Sequence, residues 1–328
     1  MSRQATRRSS TLPGSQRGAA LLTAMIIVTL VATLAASMIW QQWRAVQVEG
    51  AERAREQSAW ILAGALDWAR LILKEDARNN ARSGSVDHLG EPWAVPLAEA
   101  RLSTFLDADK ASNDDGPEAF LSGQITDAQS RYNLVNLVSG GKIDATQVEA
   151  LSRLCEASGA DPEAAAKIAA GLLLAQGGSA TSAPESSSGA MPLMPRTVGQ
   201  LSWLGIDAET LRMLRPYVVL LPRQTAVNVN TAPREVLVAA IAGLDLASAE
   251  RIIQRRPFDS LAKVEKELPA LGKLDATKLA VWSSFFEVRG RIRLEDRVLE
   301  QLSLVERRGF EVVVLRRERI ASRDQPAS

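Results

Sequence analysis

Hydrophobic positions follow three different rhythms along this chain. From Ala19 to Trp40 they are continuous, with no charged residue. At ~1.5 Å rise per residue a helix of that length reaches ~33 Å, enough to cross a ~30 Å hydrocarbon core. From Gln41 to about Lys74 there is no proline, and Gly50 and Gly64 are the only glycines. Trp43, Val46, Ala54, Ala59, Trp60, Leu62, Leu66, Trp68, Ile72 and Leu73 interleave there with Arg, Glu and Gln at helical spacing. The two stretches predict one long helix, apolar in its first half and amphipathic in its second. The amphipathic half needs a surface to bury its stripe, and a sheet of the same chain is the expected cover.

The C-terminal end changes period. Phe286, Val288, Gly290, Ile292 and Leu294 alternate with Glu287, Arg289, Arg291 and Arg293, the signature of a half-buried strand. Val298–Glu306 and Phe310–Arg316 read as two further strands joined at Arg308-Gly309, giving an antiparallel sheet. Between these ends the pattern is helical. Ala145–Ser158 and Pro162–Ala175 are separated by Gly-Ala-Asp-Pro, and Thr197–Leu204 and Asp207–Leu214 read as two short helices. The stretch from Asn228 to Gly243 reads as a helix with Thr231 as N-cap, Pro233 in the first turn and Gly243 as the stop. A second helix from Ser248 completes a helix–turn–helix pair. Asn79–Gly123 is rich in turn residues, and Gly177–Gly189 reads as a surface loop.

Composition narrows the class without changing this layout. The 328 residues are 46% hydrophobic and 23% charged, with a formal net charge of +1, so no global polyanion-binding signature exists. The leader is a local exception: Arg3, Arg7, Arg8 and Arg17 precede the apolar run without an acidic residue, which is a cytoplasmic topology signal. A secretory signal is cut after its apolar region. Here the small residues at Gly18-Ala19 lie before it, so the apolar helix would stay in the mature protein.

Candidate chemistry is sparse. One cysteine, Cys155, and one histidine, His88, exclude an internal disulfide and a Cys/His zinc cluster. Cys155 lies on an apolar helical stripe and reads as core, His88 as a loop residue. There is no nucleophile elbow, phosphate loop or cofactor motif, so no catalytic residue is assigned. The acidic run Asp107–Gly116 starts like a calcium loop, but Ala111 and Ser112 break the alternation of oxygen ligands. In Leu121–Val138, a short strand ending in a polar turn, Asp127, Arg131, Asn133 and Asn136 are spaced for hydrogen bonds within the turn.

A leader ending in glycine, a retained apolar helix and a C-terminal antiparallel sheet resemble a type IV pilin-like protein. Further residues resemble the general secretion pathway protein K family, the large minor pseudopilins of type II secretion systems. These are Gly18-Ala-Ala-Leu-Leu-Thr-Ala-Met25, Asp127-Ala-Gln-Ser-Arg-Tyr-Asn-Leu-Val-Asn-Leu137 (with Ser130 where the family has glycine), Arg215-Pro-Tyr-Val218 and Asn228-Val-Asn-Thr-Ala-Pro233. The resemblance spans essentially the whole chain. It implies an α+β pilin-like fold, a long N-terminal helix on an antiparallel sheet, with a large inserted all-α domain. The corresponding boundaries are 1–18 for the leader, 19–40 for the membrane part, 41–144 for the first part of the body, 145–282 for the insert, 283–318 for the final strands and 319–328 for a disordered tail.

The resemblance also implies a function. Prepilin peptidase would cut after Gly18 and methylate Ala19. The helix would hold the subunit in the inner membrane as a single pass, N-terminus cytoplasmic and body periplasmic. With other minor pseudopilins the subunit would form a tip complex on the major pseudopilin, initiating and capping the pseudopilus that exports folded proteins. Most pilin-like subunits carry glutamate at the fifth mature residue, where it can pair with a neighbour's N-terminal ammonium. Here that residue is Thr23, which is neutral and suits a tip position. Some family members bind calcium through acidic loops of the helical domain; Gly171–Gly178 and the residues after it carry no acidic cluster, so no metal ligands are assigned.

A second reading starts from the helix–turn–helix pair, which resembles helix-hairpin-helix modules and would make the chain a membrane-anchored DNA-uptake protein. Those modules approach phosphate through a Gly-x-Gly hairpin. Here the turn is Gly243-Leu244-Asp245, which puts a carboxylate where phosphate should sit, although Arg251, Arg255 and Arg256 offer a basic patch.

Overall fold

The computed structural model describes residues 16–102, 119–177, 192–294 and 297–320. Helix α1 runs without a break from Gln16 to Ser83, as the absence of proline predicts. The chain divides into two compact units at Ala59/Trp60. In the first, the described residues are all helix, and none of the apolar run is buried.

The second unit contains the rest of α1 and a five-stranded antiparallel sheet. Strand β1 is Leu97–Arg101 and β2 is Ala119–Asp127. The short strands β3 (Tyr132–Asn133), β4 (Val138–Ser139) and β5 (Lys142–Ile143) follow, then helices α2 (Ala145–Ser158), α3 (Ala164–Ala175) and α4 (Ala208–Leu214). Next come β6 (Val218–Val219), β7 (Val227–Asn228), α5 (Arg234–Ala240), α6 (Leu246–Gln254), α7 (Leu261–Glu267) and β8 (Leu279–Ala280). Strands β9 (Phe285–Leu294), β10 (Arg297–Arg308) and β11 (Glu311–Ile320) close the chain.

The sheet order is β1-β2-β9-β10-β11. Three of these strands are the ones expected from alternation. Of the other two, β2 is the short strand expected from Leu121, beginning two residues earlier, while β1 falls within Asn79–Gly123, where turn residues point to irregular structure. β2 lies beside β9, so everything from Ala128 to Ser284 is inserted between two neighbouring strands.

The stripe of α1 finds the expected cover. Leu66, Ala69 and Leu73 pack with Trp93, Ile125, Phe286, Val288, Val305 and Val312, while Leu62 packs with Leu121 and Ile292. Burying each leucine, isoleucine, valine or phenylalanine of this set stabilises by roughly 1.5–3 kcal/mol relative to exposure. The helical insert has a separate core, centred on Leu151, Leu154, Cys155, Ile168, Leu172, Leu201, Val236 and Leu237. Cys155 is fully buried in it, as the helical stripe predicts.

The helix lies close to the sheet where Gly123 and Gly290 pair directly across β2 and β9. A Cβ on Gly290 would meet the Leu62 side chain at 3.0 Å, and one on Gly123 would lie 2.8 Å from the Arg289 carbonyl oxygen. The second contact is with backbone, which cannot rotate aside. Gly123→Ala is therefore expected to lower stability by ~2 kcal/mol, read from the denaturation midpoint of the detergent-solubilised chain. An unchanged midpoint would contradict the close packing.

Candidate functional site

At the membrane end, Gly18 lies in the first turn of α1, and residues 1–15 fall outside the described residues. Ala19 and Thr23 are exposed. The Thr23 hydroxyl donates to the carbonyl oxygens of Ala19 (2.7 Å) and Ala20 (3.1 Å). Thr29, Thr33 and Ser37 donate in the same way to carbonyls three or four residues earlier. Each hydroxyl in the apolar run is thus satisfied within its own helix, which is what a lipid surrounding requires.

The polar residues singled out in the sequence meet at the joint between sheet and insert. Asp127 ends β2 and is buried. Its Oδ1 accepts from the Gln129 amide at 2.7 Å, the one bond that stays within the turn. Its Oδ2 accepts from the Ser283 hydroxyl (2.6 Å), the Thr231 hydroxyl (2.6 Å) and Asn228 Nδ2 (3.0 Å). Burial raises the Asp127 carboxyl above its ordinary range, and the Ser283, Thr231 and Gln129 hydrogen bonds oppose the shift. Asn228 Nδ2 also reaches the Asp87 carbonyl at 3.1 Å. Asn230 exchanges bonds with the backbone of Phe258, donating at 2.9 Å and accepting at 2.8 Å.

Two expectations are corrected here. Thr231 is not a helix cap: Pro233 holds the N-cap position of α5, and its carbonyl accepts from Val236 and Leu237 at 3.1 Å. The Thr231 hydroxyl serves Asp127 instead. The turn residues also look outward rather than to one another. Arg131 pairs with Glu287 of β9 at 2.7 Å. Asn133 Nδ2 donates to the Arg223 carbonyl at 2.7 Å, and Asn136 exchanges bonds with Thr225 at 2.8 and 3.1 Å. Of these side chains, only Asp127 and Asn133 (to Val135, 3.2 Å) also bond locally. The arrangement clamps the 221–231 segment to the end of β2; it presents no reactive group to solvent.

A second buried cluster adjoins the first and has no sequence signal. Arg307 of β10 donates from Nη2 to both oxygens of Asp87 (2.7 and 2.6 Å) and to the Ser283 carbonyl (2.8 Å), and from Nη1 to Asp76 of α1. Its guanidinium also lies 5.0 Å from the Phe286 ring centroid. Ser283 links the clusters, because its amide donates to Asp87 at 2.7 Å while its hydroxyl serves Asp127. Asp76, Asp87 and Glu91 bring oxygens within 4.8 Å of one another, a spacing that suits a cation, and Arg307 is the counter-ion that Asp76 and Asp87 share. Glu91 is further engaged by the His88 amide (2.9 Å) and the Trp93 indole (2.8 Å). Burial pushes the Asp76 carboxyl up to about 7, with Glu91 and Asp87 adding to the rise and Arg307 opposing it.

The candidate basic patch on the helix–turn–helix pair does not stand free. Arg255 pairs with Glu267, Arg251 donates to Ser248 at 2.7 Å, and Arg256 is turned inward to the Ala232 carbonyl. Burial lowers the Arg256 guanidinium to about 10. Asp245 caps α6 by accepting from the Ser248 amide at 2.8 Å, so the hairpin turn carries an engaged carboxylate. The acidic run 107–116 lies outside the described residues.

Comparison with known proteins gives one consistent family. A family model described as type II secretion system (T2SS), protein K matches residues 227–281, and a second with the same description matches 130–223. The type II secretion system protein K of Pseudomonas aeruginosa is 31% identical over 315 residues, covering 89% of each chain. That of Pectobacterium carotovorum subsp. carotovorum is 29% identical over 335 residues, covering 92% of this chain and 96% of its own. Among solved structures, a chain of the GspK-GspI-GspJ complex from the enterotoxigenic Escherichia coli type 2 secretion system superimposes with a TM-score of 0.63 at 21% identity, covering 83% of this chain and 99% of that one. This likeness shows the fold, a pilin-like body with a helical insert.

Proposed function

The chain belongs to the type II secretion system protein K family, and on that premise we propose that it is a minor pseudopilin placed at the tip of the pseudopilus. In this role it performs no reaction; it is an assembly subunit. Prepilin peptidase cuts after Gly18 and methylates Ala19, and α1 holds the subunit in the inner membrane with the leader cytoplasmic and the body periplasmic. The arginines of the leader and the 0% burial of the apolar run support this orientation and anchorage. Its partners are other minor pseudopilins, a reading supported by the structural neighbour, in which GspK is in complex with GspI and GspJ. The major pseudopilin below completes the assembly.

The observation that carries the tip position is Thr23. It is neutral, and its hydroxyl is spent on the carbonyls of Ala19 and Ala20. An ammonium brought into lipid needs a counter-charge. A subunit that cannot supply one to its neighbour fits where no such pairing is required. Thr23→Glu restores a carboxylate one turn from the mature N-terminus and is expected to admit the subunit to internal filament positions. Cross-linking to major pseudopilin on both sides of the variant would bear this out. A variant still found only at the tip would remove Thr23 as the determinant.

A further inference from the structure

At the end of the apolar run, α1 carries two tryptophans one turn apart. Trp40 and Trp43 have ring centroids 5.5 Å apart and are 61% and 55% exposed. Among the described residues neither indole N–H meets an acceptor. Buried tryptophans normally find one, and tryptophan concentrates where one end is apolar and the other wet. The position along the helix supplies such a place. From Ala19, Trp40 lies ~32 Å and Trp43 ~36 Å along the axis at ~1.5 Å per residue. A bilayer has a ~30 Å hydrocarbon core within ~40–45 Å including its headgroup layers. With Ala19 at the inner boundary, both rings fall in the opposite headgroup layer. The first charge after the leader, Arg44, follows immediately, and the Glu49–Arg53 ion pair lies beyond it.

We propose that Trp40 and Trp43 form a lipid-binding pad that seats in the glycerol-carbonyl and headgroup layer of the periplasmic leaflet and sets the depth of the anchor. This rests on the membrane-anchored reading above. The ring faces lie against the upper acyl chains, and the indole N–H groups donate to ester carbonyl and phosphate oxygens. The apolar groove of a neighbouring helix is a poorer occupant, because it would cover both rings and leave both donors unmet. Seated in this way, the pair resists both deeper insertion and withdrawal, so the body begins at a fixed height above the membrane. Moving the subunit into a filament then requires drawing both rings out of the interface.

The test uses the full chain in vesicles of phosphatidylethanolamine and phosphatidylglycerol. Flotation with the vesicles tests the anchor by itself. The emission of the wild-type chain minus that of the Trp40→Phe/Trp43→Phe double variant isolates the pair. The expected difference spectrum is shifted to shorter wavelength than that of tryptophan in water. It is quenched more strongly by lipid brominated near the headgroup than by lipid brominated near the bilayer centre. Strongest quenching from the bilayer centre, or quenching by aqueous iodide alone, would overturn the pad while flotation left the anchor intact. Loss of flotation would overturn both. Protection from lipid and aqueous quenchers together, with cross-linking between copies at position 40, would replace lipid by a second copy of the helix.

Discussion

Replacing Arg307 by methionine is expected to destabilise the protein by ~4 kcal/mol, because it strips the shared cation from buried carboxylates while roughly keeping the volume. Asp76 and Asp87 would lose their counter-ion, and the Ser283 carbonyl its donor. Denaturant unfolding of the detergent-solubilised chain reads the loss. Arg307→Lys should recover only part of it, since an ammonium cannot reproduce the fork that reaches Asp76, both Asp87 oxygens and a carbonyl. The cluster also makes the wild-type stability depend on pH in an unusual direction. Asp76 moves from an ordinary value of 3.8 to about 7 on folding, so the folded state holds this proton more tightly than the unfolded state. Stability from this group is greatest below about 4 and falls as pH rises towards about 7. Asp76→Asn should flatten that slope. A stability that climbs with pH between about 5 and 7, through an effect lost in Asp76→Asn, would contradict the assignment.

Asp127→Ala should cost nearly as much, ~3–4 kcal/mol, by leaving buried donors on Gln129, Asn228, Thr231 and Ser283 short of an acceptor. Asp127→Asn discriminates between lost packing and lost acceptors. Its amide oxygen can keep the three bonds made to Oδ2, but its NH2 then faces the Gln129 amide, donor against donor. The expected loss is ~1–2 kcal/mol. Because the clamp joins the 228–231 segment to the end of β2, Asp127→Ala should also expose the joint to proteolysis before the rest of the chain unfolds. A loss within ~0.5 kcal/mol of zero for the alanine variant would mean that the clamp is not a principal tie between insert and sheet.

What can be read from the sequence is what depends on local rhythm. The uncharged run, the α1 stripe, the alternation in β9 and the Arg308-Gly309 hairpin between β10 and β11 are each laid down by neighbouring residues, so local pattern alone exposes them. Strand β1, Leu-Ala-Glu-Ala-Arg, lies at the sheet edge with only partial burial, and its composition favours helix as much as strand. Thr231 misleads for a related reason. A threonine two residues before a proline at a helix start has the composition of a cap, whereas its actual partner is 104 residues away. Such separation also hides the Arg307 cluster. Arg307 sits in an arginine-rich strand, and nothing local distinguishes a buried arginine from its solvated neighbours. Its partners on α1 and in the loop after it come together only through the tertiary fold. The family resemblance marks Asp127, Asn228 and Asn230 as a set, and only the geometry says why they belong together.

The most direct test of the proposed role is the N-terminus of the mature protein in membranes, read by mass spectrometry from a strain carrying the secretion system. The expected result is a chain beginning at N-methylated Ala19, with the apolar helix retained and Gly18 substitution blocking the cut. A mature chain that begins after Trp40, or one still carrying its leader in a working system, would contradict the role.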